Sequence, residues 1–248
     1  MSATKPLAII AGVGTGTGSS VAHRFAKSYT VALLARSQST LDGVLGSIKA
    51  QGGEGIGIST NVTDPESIGN AFQKITQAYP SSSVAVAIFN VSGRTVKPFL
   101  QLSLEDWKSA NDVTTGAYLF SHHSLPLLLK HAADEPSDYC PSLIFTGATA
   151  SVKANANSAA FATPKWAARA LSQSLAKEFA PQGVHVAHAI IDGPIDIPRS
   201  RDHPGLKNVP LEDRISPEAI ADTYWWLHTQ PKTCFTWEID IRNAKEKW

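Results

Sequence analysis

Apolar residues along the chain fall into short unbroken runs. Between the runs lie longer stretches in which apolar positions recur every three or four residues. Runs of strand length occupy 7–11, 30–35, 54–59, 84–89, 142–146, 184–191 and 235–241. The helical period appears near 17–28, 39–50, 65–78, 104–109, 113–132, 164–180 and 217–229. The run Val84-Ala85-Val86-Ala87-Ile88-Phe89 has no polar member, as expected of a strand covered on both faces of a parallel sheet. Two helix starts are marked by an N-cap, a proline and an early acid: Asp64-Pro65-Glu66 and Ser216-Pro217-Glu218. Strands alternating with helices predict an α/β fold, a doubly wound parallel sheet with helices on both faces. The stretch 194–214 carries prolines and charges without a period and reads as a long loop, of the kind that is either a functional lid or disordered. With no internal repeat and no second core, the expectation is a single domain over residues 1–248.

The first strand ends in Gly12-Val13-Gly14-Thr15-Gly16-Thr17-Gly18, and a helical period begins at once with Val21, Ala22, Phe25 and Ala26. Strand, glycine turn and helix is the layout that binds a dinucleotide. The glycines let backbone approach a pyrophosphate, and the helix N-terminus offers free N–H groups and a positive dipole end to it. This makes the predicted fold Rossmann-type.

Composition narrows the partners. The 248 residues include 22 basic and 21 acidic side chains, for a formal charge of +1. No segment concentrates the basic ones, so neither nucleic acid nor an anionic membrane surface is an expected partner; a small-molecule substrate is. The two cysteines, Cys140 and Cys234, lie far apart and suit a reducing compartment as free thiols. No apolar run is long enough to span a bilayer, and the N-terminus shows no charged-then-apolar leader. The expected location is cytoplasmic.

The spacing Gly12, Gly16, Gly18 fits G-x-x-x-G-x-G and resembles the short-chain dehydrogenase/reductase family, a likeness that extends over roughly residues 6–241. The same turn also fits G-x-G-x-G at Gly12, Gly14 and Gly16, which resembles an S-adenosylmethionine methyltransferase loop. That loop usually follows an acid, where this chain has Ile10, and its second strand usually ends in one, where this chain has Ala35-Arg36. The dehydrogenase resemblance implies a nicotinamide nucleotide held by Gly12, Gly16, Thr17 and Gly18. It places Asn61 and Val62 by the adenine and Asn90 and Gly93 at the central turn Asn90-Val91-Ser92-Gly93. The turn Asp192-Gly193-Pro194-Ile195 stands where the family has Pro-Gly, so Gly193 shapes the turn and the Ile195 N–H holds the nicotinamide carboxamide. Arg36 ends strand two where an acid would bond the ribose 2′-hydroxyl. Its guanidinium fork suits a 2′-phosphate instead, so the expected cofactor is NADP(H).

The catalytic segment departs from the family. Where Tyr-x-x-x-Lys is expected, the chain has Phe161-Ala162-Thr163-Pro164-Lys165. Lys165 remains, and the resemblance makes it a ligand of the nicotinamide ribose. A phenyl ring at 161 is no general acid or base. The family serine falls on Ala148, with Thr149 one residue on. The family's helix asparagine falls at Val113-Thr114, with Asn111 out of register. The candidate catalytic set is therefore Lys165, Thr149 and Phe161, with no metal. Asp192 and Asp196 read as turn residues or substitute acids. Neither His122-His123 nor His185 and His188 have metal-ligand spacing, and Trp225-Trp226 read as core packing, with one ring an alternative lining for a substrate pocket.

These features point to an NADPH-dependent reductase with an altered proton-delivery group, acting on an iminium or conjugated small molecule. Two other functions stay open: a non-redox cyclase or isomerase using the cofactor groove, and a silent nucleotide-binding protein. Apolar positions Val113, Ala117, Phe120, Leu125 and Leu128, with Ala167, Leu171, Leu175 and Phe179 on the later helix, suggest a homodimer or homotetramer built on these two helices.

Overall fold

The computed structural model describes residues 5–134 and 139–246; the ends of the chain, residues 1–4 and 247–248, fall outside, as does 135–138. The leader reading therefore lies partly outside the described residues. Seven strands form one sheet: β1 (Leu7–Ala11), β2 (Thr30–Ala35), β3 (Gly55–Ser59), β4 (Val84–Phe89), β5 (Ser142–Thr146), β6 (His185–Asp192) and β7 (Glu238–Arg242). Every pairing is parallel, in the order β3-β2-β1-β4-β5-β6-β7. The chain winds outward from β1 to β3, returns, and winds the other way from β4. That reversal opens a crevice at the carboxyl ends of β1 and β4, the place where doubly wound sheets take ligands.

The helices are α1 (Thr17–Ala26), α2 (Gln38–Ala50), α3 (Pro65–Ala78), α4 (Leu104–Asp134), α5 (Ala159–Phe179), α6 (Pro198–Arg201) and α7 (Pro217–His228). Successive strand residues point to opposite faces, so Ala8 and Ile10 join α1, α2 and α7 in one core, through Phe25, Leu41 and Tyr224. Leu7, Ile9 and Ala11 join the other, with Ile68, Phe72, Phe120 and Leu128 of α3 and α4. Asp64 and Ser216 cap α3 and α7 as expected, accepting from the N–H of Glu66 and Ala219. Among the described residues no helix is long and apolar enough to cross a membrane.

Most ends differ from the sequence reading by a residue or two, and some features differ more. The expected helices at 104–109 and 113–132 are one, α4; the polar pair Asn111-Asp112 does not break it, because Asn111 Nδ2 donates 2.8 Å to the Trp107 carbonyl within the helix. Helix α5 begins at Ala159 rather than near 164. The Ser158 carbonyl accepts from the N–H groups of Phe161 and Ala162 and starts the helix, leaving Pro164 inside it. Strand β7 starts at Glu238, not 235, since Phe235 instead stacks on His185 with ring centroids 4.3 Å apart. The loop 194–214 contains α6 and is braced by Arg214, which is buried and donates to Ser200 Oγ at 2.8 Å and to the Leu206 carbonyl at 2.7 Å. The apolar residues Ala117, Phe120, Leu125 and Leu128, read as a subunit face, are buried in the core.

Candidate active site

The glycine turn is built by close backbone contacts. Gly12 has φ +85°, and a Cβ there would lie 2.5 Å from the Asn90 carbonyl oxygen. Asn90, at the carboxyl end of β4, donates from Nδ2 to the Gly12 carbonyl at 3.0 Å and from its N–H to the Ala11 carbonyl at 2.9 Å. The two residues thereby fasten both walls of the crevice. A Cβ on Gly18 would lie 2.5 Å from the Gly12 carbonyl oxygen, so α1 meets β1 backbone to backbone. Gly16 caps α1 without a side-chain bond, and the first turn, which starts with buried Thr17, has no acid. The positive helix end therefore has no side-chain cap and no acid in its first turn. Ile197 closes down over this turn: its Cγ2 lies 2.7 Å from where a Gly16 Cβ would be.

Around the turn stand the other predicted residues. Arg36 is exposed just past β2 and its guanidinium makes no bond among the described residues. Asn61 Oδ1 accepts from Thr63 Oγ1 at 2.9 Å and from its N–H at 3.3 Å, which leaves Nδ2 as the outward donor. Val62 is buried, within reach of Gly116 on α4. Gly193 has φ +146°. The neighbouring bridge is made by the Ile215 N–H to the Pro194 carbonyl at 2.8 Å and the Asp196 N–H to the Ile215 carbonyl at 2.9 Å. The Ile195 N–H has no partner among the described residues.

Lys165 is 6 % exposed and donates from Nζ to the Thr146 carbonyl at 2.9 Å. Burial pushes its ammonium down to about 8. With Phe89, Val91, Gly93, Val113 and Pro164 it walls a mainly apolar cavity of about 10 Å³, room for one water. Phe161 lies one helical turn earlier on the same side of α5 and is half-buried. Thr114 Oγ1, at the position flanking Val113, is buried without a partner.

Thr149 begins a short 3₁₀ turn after β5, and its Oγ1 donates to Asp192 Oδ1. Asp192 Oδ2 pairs with Arg242 at 2.6 Å. The turn aspartate is thus tied to Thr149. Arg242 escaped the sequence reading because no local signal links it to residue 192; the two are register partners on β6 and β7. Another cluster missed from sequence lies behind Lys165. His188 donates from Nδ1 to Glu238 Oε2 at 2.9 Å, and Arg169 meets the same carboxylate at 2.6 and 2.8 Å. Burial pushes His188 down against the pull of Glu238. Burial also raises Glu238, but the Arg169 and His188 bonds outweigh it and hold the carboxyl below its usual range. A Cβ on Gly147 would lie 2.5 Å from His188 Nε2.

Other candidates fall elsewhere. His122 stacks on Tyr118 and His123 on Phe72. Trp225 packs on Phe25, Trp226 is exposed, and Asp196 pairs with Arg201 at 2.7 Å. No cluster of metal-ligating side chains occurs among the described residues.

A doubly wound sheet with a glycine cradle at its switch point and a buried lysine beside it defines a dinucleotide-binding enzyme fold. Residues 6–202 match the short chain dehydrogenase family, and the chain belongs to that family of oxidoreductases. A 3-oxoacyl-[acyl-carrier-protein] reductase from Synechocystis is 26% identical over 238 residues, covering 94% of this chain and 92% of the relative. Glucose 1-dehydrogenase 2 of Bacillus subtilis is 24% identical, covering 94% of this chain and 91% of its own. Among solved structures, a short-chain dehydrogenase from Rhodopseudomonas palustris is 28% identical with TM-score 0.76, covering 95% of this chain and 98% of its own. An alcohol dehydrogenase from the archaeon Thermococcus sibiricus, complexed with 5-hydroxy-NADP, shares the fold at TM-score 0.83 and 23% identity, covering 98% of each chain.

Proposed function

We propose that the chain is an NADPH-dependent reductase that delivers hydride to an acceptor already cationic or conjugated, such as an iminium. The observation that carries the reading is the pairing of a retained, buried Lys165 with a phenyl ring at residue 161. Reducing a neutral ketone places charge on oxygen, and a general acid there contributes about a hundred- to ten-thousandfold. Phe161 supplies no such proton; an iminium needs none at the reacting atom.

The residues present fit a nicotinamide nucleotide. Gly12, Gly16, Thr17 and Gly18 form a tight turn that has no room for a Cβ at its glycines, with an uncapped helix end behind it to face a pyrophosphate. Arg36 is a free guanidinium for a 2′-phosphate, and Asn61 with Val62 flank the adenine end. Asn90 and Gly93 shape the centre, while Gly193 and the unpartnered Ile195 N–H serve the carboxamide. The bound nucleotide supplies the hydride. Lys165 anchors its ribose with the two ammonium protons that Thr146 does not take, and Thr149 and Phe161 border the substrate. The chain acts as one domain. Exposed Leu104 and Tyr118 on α4 and Trp166 on α5 suit assembly into a homodimer or homotetramer; a monomer by light scattering at micromolar concentration would contradict that.

The direct test is titration with NADPH and NADH by nucleotide fluorescence, followed by single-turnover NADPH oxidation with a cyclic iminium and with the matching ketone. Oxidation by the iminium and little by the ketone is expected. Tight nucleotide binding with neither oxidised would point to non-redox chemistry, and absence of binding would refute the reading.

A further inference from the structure

The hydroxyl proton of Thr149 is already engaged. Oγ1 donates to Asp192 Oδ1, and the other oxygen of this buried carboxylate meets the Arg242 guanidinium at 2.6 Å. Arg242 is held in turn by Asp240 at 2.8 Å. A carboxylate paired with a guanidinium accepts hydrogen bonds and has none to give. A threonine hydroxyl carries one proton, so with that proton directed at Asp192 the remaining surface of Oγ1 is lone pair. Thr149 is half-buried, three residues beyond Thr146, whose carbonyl receives Lys165, and its turn packs against α5.

We propose that Asp192 sets the hydrogen-bond polarity of Thr149, so that the site prefers a substrate whose reacting group carries an N–H or O–H donor over one presenting a bare carbonyl oxygen. The inference rests on the nucleotide-dependent reading above and adds the class of group that the site accepts. A ketone oxygen facing Thr149 meets lone pairs. To donate to that oxygen, Thr149 must leave Asp192 and strip a buried carboxylate of one of its donors. An unmatched buried polar group of this kind costs about tenfold or more in affinity. Asp192 and Arg242 are positioning residues that neutralise each other, so the preference follows the direction of the bond rather than the charge of the ligand.

The test uses the NADPH-loaded protein and three probes of similar shape: protonated 4-phenylpiperidine, 4-phenylcyclohexanol and 4-phenylcyclohexanone. Dissociation constants are measured by ligand-observed NMR. Both donors are expected to bind about tenfold more tightly than the ketone. In Asp192→Asn, Arg242 claims the one amide oxygen and the amide nitrogen turns to Thr149, which frees the hydroxyl to donate; the preference should vanish or reverse. Thr149→Val, close to isosteric, should abolish it while leaving NADPH affinity unchanged. Equal binding of ketone and donors, failure of every probe to bind, or a preference that survives both substitutions would overturn the proposal. If the parent protein fails to bind NADPH, the nucleotide reading fails instead. The same ranking is then expected on the nucleotide-free protein, where its absence overturns this proposal too.

Discussion

Lys165 Nζ and the Thr146 carbonyl oxygen stand 2.9 Å apart, and this is the only hydrogen bond that the buried ammonium makes among the described residues. The pairing holds the amine at the carboxyl end of β5 and leaves two donor positions open beside a small apolar cavity. A cation with a single neutral partner is costly to bury, and that cost has a measurable signature.

Burial lowers the Lys165 ammonium from 10.5 to about 8 in the folded protein. Between those values the unfolded chain binds more protons than the folded one, so this group makes stability rise with pH across that window. Below about pH 8 the folded protein carries the full cost of the buried charge, on the order of 3 kcal/mol. Nucleotide-free Lys165→Met should therefore be more stable than the parent at pH 7, and the gap should close towards pH 10.5. Urea unfolding at pH 7 and pH 10 measures it; an unchanged gap would contradict the assignment.

The same lysine should be indispensable once nucleotide is present. Lys165→Ala is expected to abolish NADPH-dependent turnover. Phe161→Tyr, in contrast, should leave the native reaction unimproved or slower, because a cationic acceptor needs no proton from residue 161. Single-turnover rates compare the two. A large gain from the tyrosine would make the protein an ordinary carbonyl reductase.

The role proposed for Arg36 is the choice between the two nucleotides. A charge-assisted contact to a 2′-phosphate contributes about 1.5–3 kcal/mol, so NADPH should bind at least about tenfold more tightly than NADH. Arg36→Asp should reverse the order, as read by fluorescence titration. Equal affinities in the parent protein would remove the assigned role.

Gly12 combines a φ of +85° with a Cβ position 2.5 Å from the Asn90 carbonyl oxygen. Backbone sits on both sides of that clash, so no side chain can yield. Gly12→Ala should cost more than about 1 kcal/mol of stability and weaken nucleotide binding. Gly14→Ala, where nothing lies within 4 Å, should do neither. Thermal unfolding and titration of both variants give the comparison.

The alternation of apolar runs and helical periods located all seven strands and gave their class, since strand and helix each impose a period on whatever must face a core. Glycine spacing located the tight turn for the same local reason: left-handed torsion at Gly12 and close backbone approach at Gly12 and Gly18 restrict residue choice. Lys165 stood out only through the resemblance to a Tyr-x-x-x-Lys segment; its burial against the Thr146 carbonyl is tertiary. The tertiary structure alone decided that Asn111-Asp112 does not interrupt α4 and that α5 starts before Pro164. It alone joined Thr149 to Asp192, 43 residues away, and Asp192 to Arg242, its register partner across β6 and β7. His188 and Glu238 meet by the same register. Such contacts depend on strand order and alignment, which arise when distant segments pack together, and no local period along the chain encodes which side chain will face which.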